Sequence, residues 1–348
     1  MTLHSSHTTG GARFLRDAAL AGRTTFGVPA RARLLVEITD PGVLGEVLAR
    51  RELAGISPLV LGGGSNVLFT TDFPGVVLHM ATRGIETLAS EPGRVQLRVA
   101  AGENWDHFVR WALGQGLAGL ENLILIPGSV GAAPIQNIGA YGTEVSEFIA
   151  AVHAWDREAS RQVSIRAADC RFAYRDSVFK HRPGRYIVTA VDFSLPRERS
   201  LMLEYAGVRE ELAEMAVRQP APADVARAVE RLRRRKLPDP ARLGNAGSFF
   251  KNPLVGEERA RDMRTDWPDL PQFPAGAGQV KLSAAWLIQQ CQLKGLRVGD
   301  AGVSEQHALV LVNHGGATGA EIWALAERIR ETVCARFGVL LEPEPLVL

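Results

Sequence analysis

Short apolar stretches follow one another along the chain and predict strands that alternate with helices. The stretches typical of strands are 34–38, 58–61, 76–80, 95–101, 152–156, 163–165, 186–195, 308–313 and 339–341. Helical spacing of apolar residues predicts helices over 41–48, 104–113, 223–236, 283–293 and 318–333. This mixture indicates an α+β fold with several layers.

Boundary signals divide this pattern into parts. Thr318 and Glu321 have the spacing of a capping box at the start of the last helix. Leu237–Pro240 contains two prolines directly after a predicted helix and marks a boundary. Residues 1–23 mix small, polar and basic side chains without an apolar core, so they predict a frayed tail and no secretory signal.

Composition and charge exclude several classes of protein. Hydrophobic residues make up 46 % of the chain and charged residues 22 %, which is ordinary for a globular protein. The net charge of +2 arises from 40 basic and 38 acidic residues, so no strong field favours nucleic acid or anionic lipid. No apolar run reaches the roughly 20 residues that span a bilayer. We therefore expect neither a nucleic-acid nor a membrane partner.

Cysteine and histidine positions argue against disulfides and metal sites. Cys170, Cys291 and Cys334 lie far apart, which fits a reducing cytoplasm better than a disulfide framework or a zinc cluster. His107, His153 and His307 lack metal-ligand spacing with one another or with carboxylates. We expect no metal.

A basic run at 231–236 could indicate nucleic-acid contact or a solvated helical face. No second basic segment and no aromatic stacking platform accompanies it. The solvated face is therefore the favoured interpretation.

Two glycine-rich loops carry the main chemical signal. The first glycine loop, 62–66, follows a predicted strand, and its residues are Gly62, Gly63, Gly64, Ser65 and Asn66. Successive glycines can turn amide groups toward an anion, although a plain hairpin turn is equally compatible with the residues alone. The loop lacks the glycine spacing of a dinucleotide fingerprint and the Lys-Ser/Thr pair of a Walker A loop.

The second glycine loop, 126–142, is rich in glycine and proline and has neither helical nor strand period. Such a backbone can lie against a large flat ligand, with the amides of Gln136 and Asn137 at a heteroaromatic edge. Gly128, Gly131 and Gly139 leave backbone groups free for a pyrophosphate. A long surface Ω-loop is the alternative.

The chain resembles the UDP-N-acetylenolpyruvoylglucosamine reductase family, within the flavoproteins of the vanillyl-alcohol oxidase and p-cresol methylhydroxylase type. The resemblance runs from Thr25 to Glu344 and rests on an ordered set of motifs at 62–69, 101–109, 119–142, 170–180, 236–240, 244–253 and 286–295. It implies a two-lobed FAD-binding unit at about 27–198 and a smaller α+β domain for the UDP-sugar. The implied division is lobe 1 at 1–82, completed by 338–348, lobe 2 at 83–237, and the substrate domain at 238–337.

The resemblance also implies three catalytic residues. Arg175 would hold the substrate carboxylate, Ser248 would protonate carbon with Lys236 as the nearby cation, and Glu342 would act with Arg175 on the developing enolate. From the residues alone, Arg175 is typical of a surface ion pair, Ser248 of a capping hydroxyl and Glu342 of a solvated carboxylate.

The implied reaction is the FAD-mediated, NADPH-dependent reduction of UDP-N-acetylenolpyruvoylglucosamine to UDP-N-acetylmuramate for peptidoglycan synthesis, and hence for cell shape and division. We expect the FAD to be bound noncovalently, because the glycine loops offer no attachment residue, and we expect the protein to be a cytoplasmic monomer. The implied FAD contacts are Gly62, Gly63, Gly64, Ser65, Asn66, Pro127, Gly128, Ser129, Gly131, Gln136, Asn137 and Gly139. The implied substrate contacts are Tyr141, Tyr174, Tyr205, Lys236, Asn252, Lys281 and His307.

The sequence departs from the family pattern at two places, and two other functions are alternatives to the implied reaction. Thr24 replaces the asparagine usual before 25–27, and Ala132 and Ala133 stand where some members have serines near the flavin. A flavin oxidase is disfavoured because neither glycine loop offers a histidine or cysteine for covalent attachment. A scaffold protein without catalysis would lack Arg175, Ser248 or Glu342.

Overall fold

In the computed structural model of the protein, residues 6–348 are described. The helices are α1 (Leu44–Ala49), α2 (Trp105–Gly114), α3 (Val178–His181), α4 (Val208–Glu214), α5 (Pro222–Lys236), α6 (Glu257–Asp266), α7 (Ala284–Gln290) and α8 (Gly319–Phe337). The strands up to residue 100 are β1 (Ser6–Thr9), β2 (Ala12–Ala19), β3 (Arg31–Ile38), β4 (Leu59–Leu61), β5 (Val67–Leu68), β6 (Phe73–Met80), β7 (Ile85–Glu91) and β8 (Arg94–Ala100).

The later strands complete the α+β fold that the hydrophobic pattern predicts. They are β9 (Gly139–Ala140), β10 (Thr143–Glu144), β11 (Ile149–Asp156), β12 (Arg161–Arg166), β13 (Tyr186–Pro196), β14 (Gly244–Ser248), β15 (Leu254–Gly256), β16 (Gln272–Pro274), β17 (Gln279–Leu282), β18 (Arg297–Val298), β19 (Ala301–Val303), β20 (Val310–Asn313) and β21 (Leu346–Val347).

The chain forms two compact units. The first comprises the residues up to Ala18, then Ala32–Gly63 and Pro74–Arg233. The second comprises Ala19–Arg31, Gly64–Phe73 and Arg234–Leu348.

The first unit contains two five-stranded sheets. Their strand orders are β1-β2-β3-β6-β4 and β12-β11-β13-β8-β7. Helix α2 covers the second sheet with the apolar face that its spacing predicts, and the Phe108 ring lies 4.8 Å from that of Phe193 on β13. Both side chains are fully buried, so this contact fixes the start of α2 relative to the sheet.

The frayed tail expected at 1–23 is wrong for the part of it that the structure describes. Strands β1 and β2 pair as an antiparallel hairpin, and Phe14 is buried within the first unit. Residues 1–5 lie outside the described part of the chain.

The second unit is built on a four-stranded sheet of order β14-β20-β19-β18 and a three-stranded sheet of order β15-β17-β16. The capping box of Thr318 and Glu321 is present at the start of α8, as predicted. Helix α8 buries Ile322, Leu325, Ile329 and Val333, which confirms the predicted apolar face.

The strand predicted at 339–341 is wrong, because the last strand, β21, lies further on and pairs in parallel with β5. Between them, Pro343 forms an isolated bridge with Phe250. Among residues 6–348 no helix has the length and apolar character needed to cross a bilayer.

Candidate functional site

The two glycine loops meet through their backbones in the first unit. A β-carbon added to Gly63 would lie 2.7 Å from the α-carbon of Gly128, and one added to Gly62 would overlap the Ser129 hydroxyl. Any side chain at these positions would force the loops apart. The surface that they form is consequently almost bare backbone.

The second glycine loop is also fixed to the start of α2. The Trp105 amide donates to the Gly128 carbonyl at 3.1 Å, and the Gly131 amide donates to the Ala101 carbonyl at 2.8 Å. Asn104 caps the helix by accepting from the His107 amide at 2.9 Å, as its position before the helical pattern predicts. The partial positive charge of this helix end favours a phosphate group near the loop.

Arg233 on α5 supplies a half-buried cation in the same unit. Its Nη2 donates to the Leu125 carbonyl at 3.3 Å, whereas its Nε is buried and has no hydrogen-bond partner within the unit. Burial lowers the pKa of this guanidinium, while the neighbouring Tyr141 and Asp106 raise it. An incompletely satisfied buried cation is costly unless an anionic or polar group meets it.

These features fit a flavin dinucleotide. The bare loop backbones suit a pyrophosphate, and a guanidinium suits the carbonyl and nitrogen edge of a flavin ring. Pro127, Gln136 and Gly139 are half-buried along the second loop. Ala132 is half-buried and Ala133 is fully buried. Because alanine has no hydroxyl, neither residue can make the flavin contact that a serine makes at these positions.

The solvated face expected for the basic run 231–236 is confirmed for Arg231, which is 54 % exposed while its Nε forms an ion pair with the buried carboxylate of Glu211 at 2.8 Å. It is wrong for Arg233, which is half-buried and whose Nε is fully enclosed. Charged residues in helices are usually exposed, so the sequence pattern gave no sign of this burial.

A tyrosine pair lies beside Arg233. The rings of Tyr141 and Tyr205 are 4.9 Å apart, and burial raises the pKa of Tyr141. Asn122 holds the two segments together, because its amide donates to the carbonyls of Tyr141 and Met202 at 2.9 and 3.0 Å. Tyr205 remains 48 % exposed, which leaves its ring and hydroxyl open to a ligand.

Arg175 stands at the tip of a tight turn, 173–176, called here the Arg175 turn. Ala173 and Asp176 exchange backbone hydrogen bonds of 3.1 Å. Arg175 has a left-handed φ of 55°, and its Nη2 donates to the Gly139 carbonyl at 2.7 Å. Its guanidinium also lies 5.4 Å from the centre of the Tyr174 ring. The sequence-predicted arginine is therefore attached to the second glycine loop.

Ser248 ends strand β14 in the second unit, where it pairs with Val310 of β20. Gly247 has a left-handed φ of 71°, so the backbone turns sharply just before the serine. The side chain is half-buried. The serine hydroxyl therefore follows directly on a sharp backbone turn and is partly open to solvent.

Cations surround the turn that precedes Val310. Burial lowers the pKa of His307, and the charges of Lys236 and Lys294 lower it further. His307 accepts from the Leu309 amide through Nδ1 at 3.3 Å, and its carbonyl accepts from the Val310 amide at 3.0 Å. Burial and the two lysines therefore both disfavour protonation of the imidazole, and one of these lysines, Lys294, was not predicted from the sequence.

Lys281 lies on β17 in the three-stranded sheet of the second unit, and Asn252 lies just before β15 of that sheet. Lys281 lies between Leu254 and Phe273 in the strand register, and Phe273 is 48 % exposed. Asn252 accepts from the Ala284 amide at 3.0 Å and so caps α7 with its oxygen. An open aromatic ring beside a lysine suits a nucleotide, and sequence reasoning missed Phe273 because a lone phenylalanine is typical of core.

The terminal segment, 342–348, carries two glutamates. The carboxylate of Glu342 is 69 % exposed and meets Lys251 Nζ at 3.0 Å. The Glu344 amide donates to the carbonyl of Phe249, the neighbour of Ser248, at 2.8 Å. Asn66 donates from its side chain to the Glu344 carbonyl at 3.2 Å, which ties the end of the first glycine loop to this segment.

Comparison with known proteins agrees with this geometry. A family model described as "FAD binding domain" matches residues 32–163. A second, described as "UDP-N-acetylenolpyruvoylglucosamine reductase, C-terminal domain", matches residues 239–348. The two matches cover both glycine loops and the Ser248 strand.

Relatives match the chain along nearly its whole length. The UDP-N-acetylenolpyruvoylglucosamine reductase of Xanthomonas euvesicatoria pv. vesicatoria is 54 % identical over 333 residues, 95 % of each chain. That of Xanthomonas campestris pv. campestris strain 8004 is 52 % identical over 337 residues, 97 % of this chain and 96 % of the relative.

A solved structure gives the same result. The crystal structure of the reductase from Thermus caldophilus superposes with a TM-score of 0.67 at 26 % identity, and covers 95 % of this chain and 97 % of that one. The chain belongs to the UDP-N-acetylenolpyruvoylglucosamine reductase family.

Proposed function

We propose that this protein reduces the enolpyruvyl ether of UDP-N-acetylglucosamine to the lactyl ether, UDP-N-acetylmuramate, in peptidoglycan precursor synthesis. The single observation that carries the proposal is identity of about half the residues with reductases of this name over 95 % of the chain. When bound, FAD accepts a hydride from NADPH and delivers it to the methylene carbon of the enolpyruvyl group.

The first unit supplies the groups for the flavin and the substrate carboxylate. Gly63 and Gly128 would let the pyrophosphate approach the backbone, and Arg233 would meet the polar edge of the ring. Arg175 would bind the carboxylate, since a guanidinium stays charged as electron density moves onto the substrate. The Tyr174 ring would support the Arg175 side chain.

The second unit supplies the proton. Hydride and proton add across the carbon–carbon double bond, and Ser248 would give its hydroxyl proton to the carbon that bears the carboxylate. A serine is a weak acid, so the resulting alkoxide needs nearby positive charge. Lys236 and Lys294, which both act on His307, provide it in the same unit.

A carboxyl group is the third predicted catalytic element, and two residues can provide it. Glu342 is the residue that the sequence analysis favours. Glu344 is bonded through its amide to the neighbour of Ser248 and is half-buried, whereas Glu342 is mostly exposed and paired with Lys251. The geometry supports Glu344 over Glu342 for this role.

Four side chains are the candidates for UDP recognition. Tyr205, Lys236, Asn252 and Lys281 offer the cations and donors that a diphosphate needs, and His307 and Tyr141 lie beside them in their respective units. Phe273 would add a stacking surface for the uracil. We further propose that the enzyme uses NADPH as its electron donor and acts as a cytoplasmic monomer without a nucleic-acid or membrane partner.

The test is spectroscopic. The purified protein should be yellow, and acid or heat should release free FAD because no covalent bond holds it. NADPH should bleach the flavin absorbance, and UDP-N-acetylenolpyruvoylglucosamine should restore it in the absence of oxygen. Reoxidation by oxygen but not by this substrate would indicate an oxidase. Light scattering on the protein peak from size-exclusion chromatography tests whether the enzyme is a monomer.

A further inference from the structure

Asn137 is a fully enclosed polar residue of the second glycine loop. Its side chain is 0 % exposed. Nδ2 donates to Glu144 Oε2 at 2.7 Å and to the Ala173 carbonyl at 3.1 Å. Oδ1 accepts from the Ser146 amide at 3.1 Å. Every polar atom of the amide is used inside the protein, so any flavin contact at this position rests on its backbone.

The bond to Ala173 has a particular consequence. Ala173 opens the Arg175 turn, and its amide and carbonyl exchange hydrogen bonds with Asp176. The Asn137 amide therefore fastens the second glycine loop to the base of the turn whose tip is Arg175.

Two neighbouring contacts join the same two segments. Ser177 Oγ donates to the Ile135 carbonyl at 2.5 Å, and Arg175 Nη2 donates to the Gly139 carbonyl at 2.7 Å. The three tied positions of the loop, Ile135, Asn137 and Gly139, alternate along the chain. Among them, only Asn137 uses its side chain to make the link.

The backbone at Asn137 limits what can replace it. Its φ is +47°, a left-handed conformation in which asparagine, aspartate and glycine are the best tolerated residues. Asparagine alone among these offers the two amide hydrogens that Glu144 and Ala173 accept.

We propose that Asn137 is a positioning residue, whose amide holds Arg175 at a fixed place relative to the second glycine loop and so sets recognition of the substrate carboxylate. The inference rests on the proposed function. It assigns Asn137 no contact with substrate, because the side chain acts through Ala173 and Glu144.

Ligand affinity separates this role from a general structural one. The probes are UDP-N-acetylenolpyruvoylglucosamine, which has the carboxylate, and UDP-N-acetylglucosamine, which lacks it. Calorimetric titration of the FAD-loaded oxidised enzyme without NADPH measures both affinities without turnover. The wild type should bind the carboxylate ligand more tightly, and Arg175→Ala should remove that difference.

Asn137→Asp keeps size and backbone preference but replaces the donor with a carboxylate beside Glu144. We expect it to weaken binding of the enolpyruvyl ligand about tenfold or more, as for a displaced charged hydrogen bond, and to change the affinity for UDP-N-acetylglucosamine little. Asn137→Gly should do the same. When Arg175→Ala is already present, either change should have little further effect.

Asn122→Asp is the matched control. It makes the same chemical change in a buried amide that bonds to Tyr141 and Met202, so it should weaken both ligands alike. If both Asn137 variants fail to fold, Ser177→Ala cuts a neighbouring tie without touching the left-handed residue and should show the same selective loss.

Equal losses for both ligands, or no loss, in the Asn137 variants would overturn the positioning role. A wild type that does not distinguish the two ligands would instead contradict the proposed function. Failure of the positioning role is therefore seen in the Asn137 variants, and failure of the proposed function is seen in the wild type.

Discussion

The α-carbon of Gly128 lies 2.7 Å from the place that a β-carbon on Gly63 would occupy, although other strands and a helix separate the two glycines along the chain. Gly63→Ala should force the loops apart. Overpacking of this kind costs about 1–3 kcal/mol, and FAD should be lost on purification. Absorbance at the flavin band and thermal unfolding measure both effects.

Gly114→Ala is the control for that variant. Gly114 ends α2 and has open space around the position of an added β-carbon. Alanine is the better helix former by roughly 0.5–1 kcal/mol, so this variant should keep its flavin and unfold at the same or a slightly higher temperature. Equal flavin content in both variants would refute the close approach of the loops as the cause.

Ser248→Ala should separate the two half-reactions. Flavin reduction by NADPH should remain near the wild-type rate, since it needs no proton from Ser248. Reoxidation by the enolpyruvyl substrate should slow by roughly 10²–10⁴, the usual effect of losing a general acid. Stopped-flow absorbance under anaerobic conditions measures each step. Losses of similar size in both steps would remove Ser248 from the proton-donor role.

The two glutamates of the terminal segment can be compared directly. Glu344→Gln should slow reoxidation by about 10²–10³, the scale for losing an electrostatic group, while Glu342→Gln should lose mainly the Lys251 pair, which is worth about 0–1 kcal/mol at an exposed site. Each change keeps the shape of the side chain. The reverse ranking of reoxidation rates would restore Glu342 as the catalytic carboxyl group.

Arg233→Met should have opposite effects on stability and cofactor affinity. Methionine removes a half-buried cation whose buried Nε has no hydrogen-bond partner within its unit, so the flavin-free protein should be as stable as wild type or more stable. FAD should bind at least tenfold more weakly, because the guanidinium no longer meets the flavin edge. Fluorescence titration of flavin-free protein with FAD and its thermal unfolding are the two readouts. Unchanged FAD affinity would show that Arg233 has another purpose.

The pKa of Asp192 predicts that the stability of the fold decreases at acidic pH. Burial alone would raise its pKa, but hydrogen bonds from His153 and Arg98 outweigh burial and lower the pKa to about 2 from 3.8. A carboxyl group whose pKa is lower in the folded protein than in the unfolded chain stabilises the fold at pH values above its unfolded pKa. That stabilisation is lost as the pH falls from about 4 to about 2. The loss should be roughly 1–2 kcal/mol. Denaturant unfolding of Asp192→Asn should show a shallower decline across this range than wild type.

Local chemistry explains why much of the site was predictable. The glycine loops are recognisable in the sequence because glycine at such density has few uses other than close approach of the backbone to another group. The capping box of Thr318 and Glu321 is recognisable because it depends on residues that are neighbours in the chain. The predicted faces of α2 and α8 follow from a helical period that needs no knowledge of the rest of the fold.

The missed features depend on tertiary contacts. Arg233 has the sequence context of an exposed arginine on a basic helix, and only the fold places it half-buried against the Leu125 carbonyl and near Tyr141. The β1–β2 hairpin carries small side chains at several inward positions, so its apolar signal is weak. The apolar stretch at 339–341 has the sequence pattern of a strand, but it has no strand to pair with among residues 6–348. The chain pairs as a strand only further on, at β21, where β5 is the partner.

The pairing of β5 with β21 has a consequence for biosynthesis. The Asn66 side chain and the Glu344 carbonyl that it holds are 278 positions apart, and ribosomes add on the order of 5–20 residues per second. Strand β5 therefore emerges tens of seconds before its partner exists. During that interval its unpaired edge is open to other chains, so nascent polypeptides stalled before β21 should be the species that chaperones retain and that aggregate when chaperones are scarce.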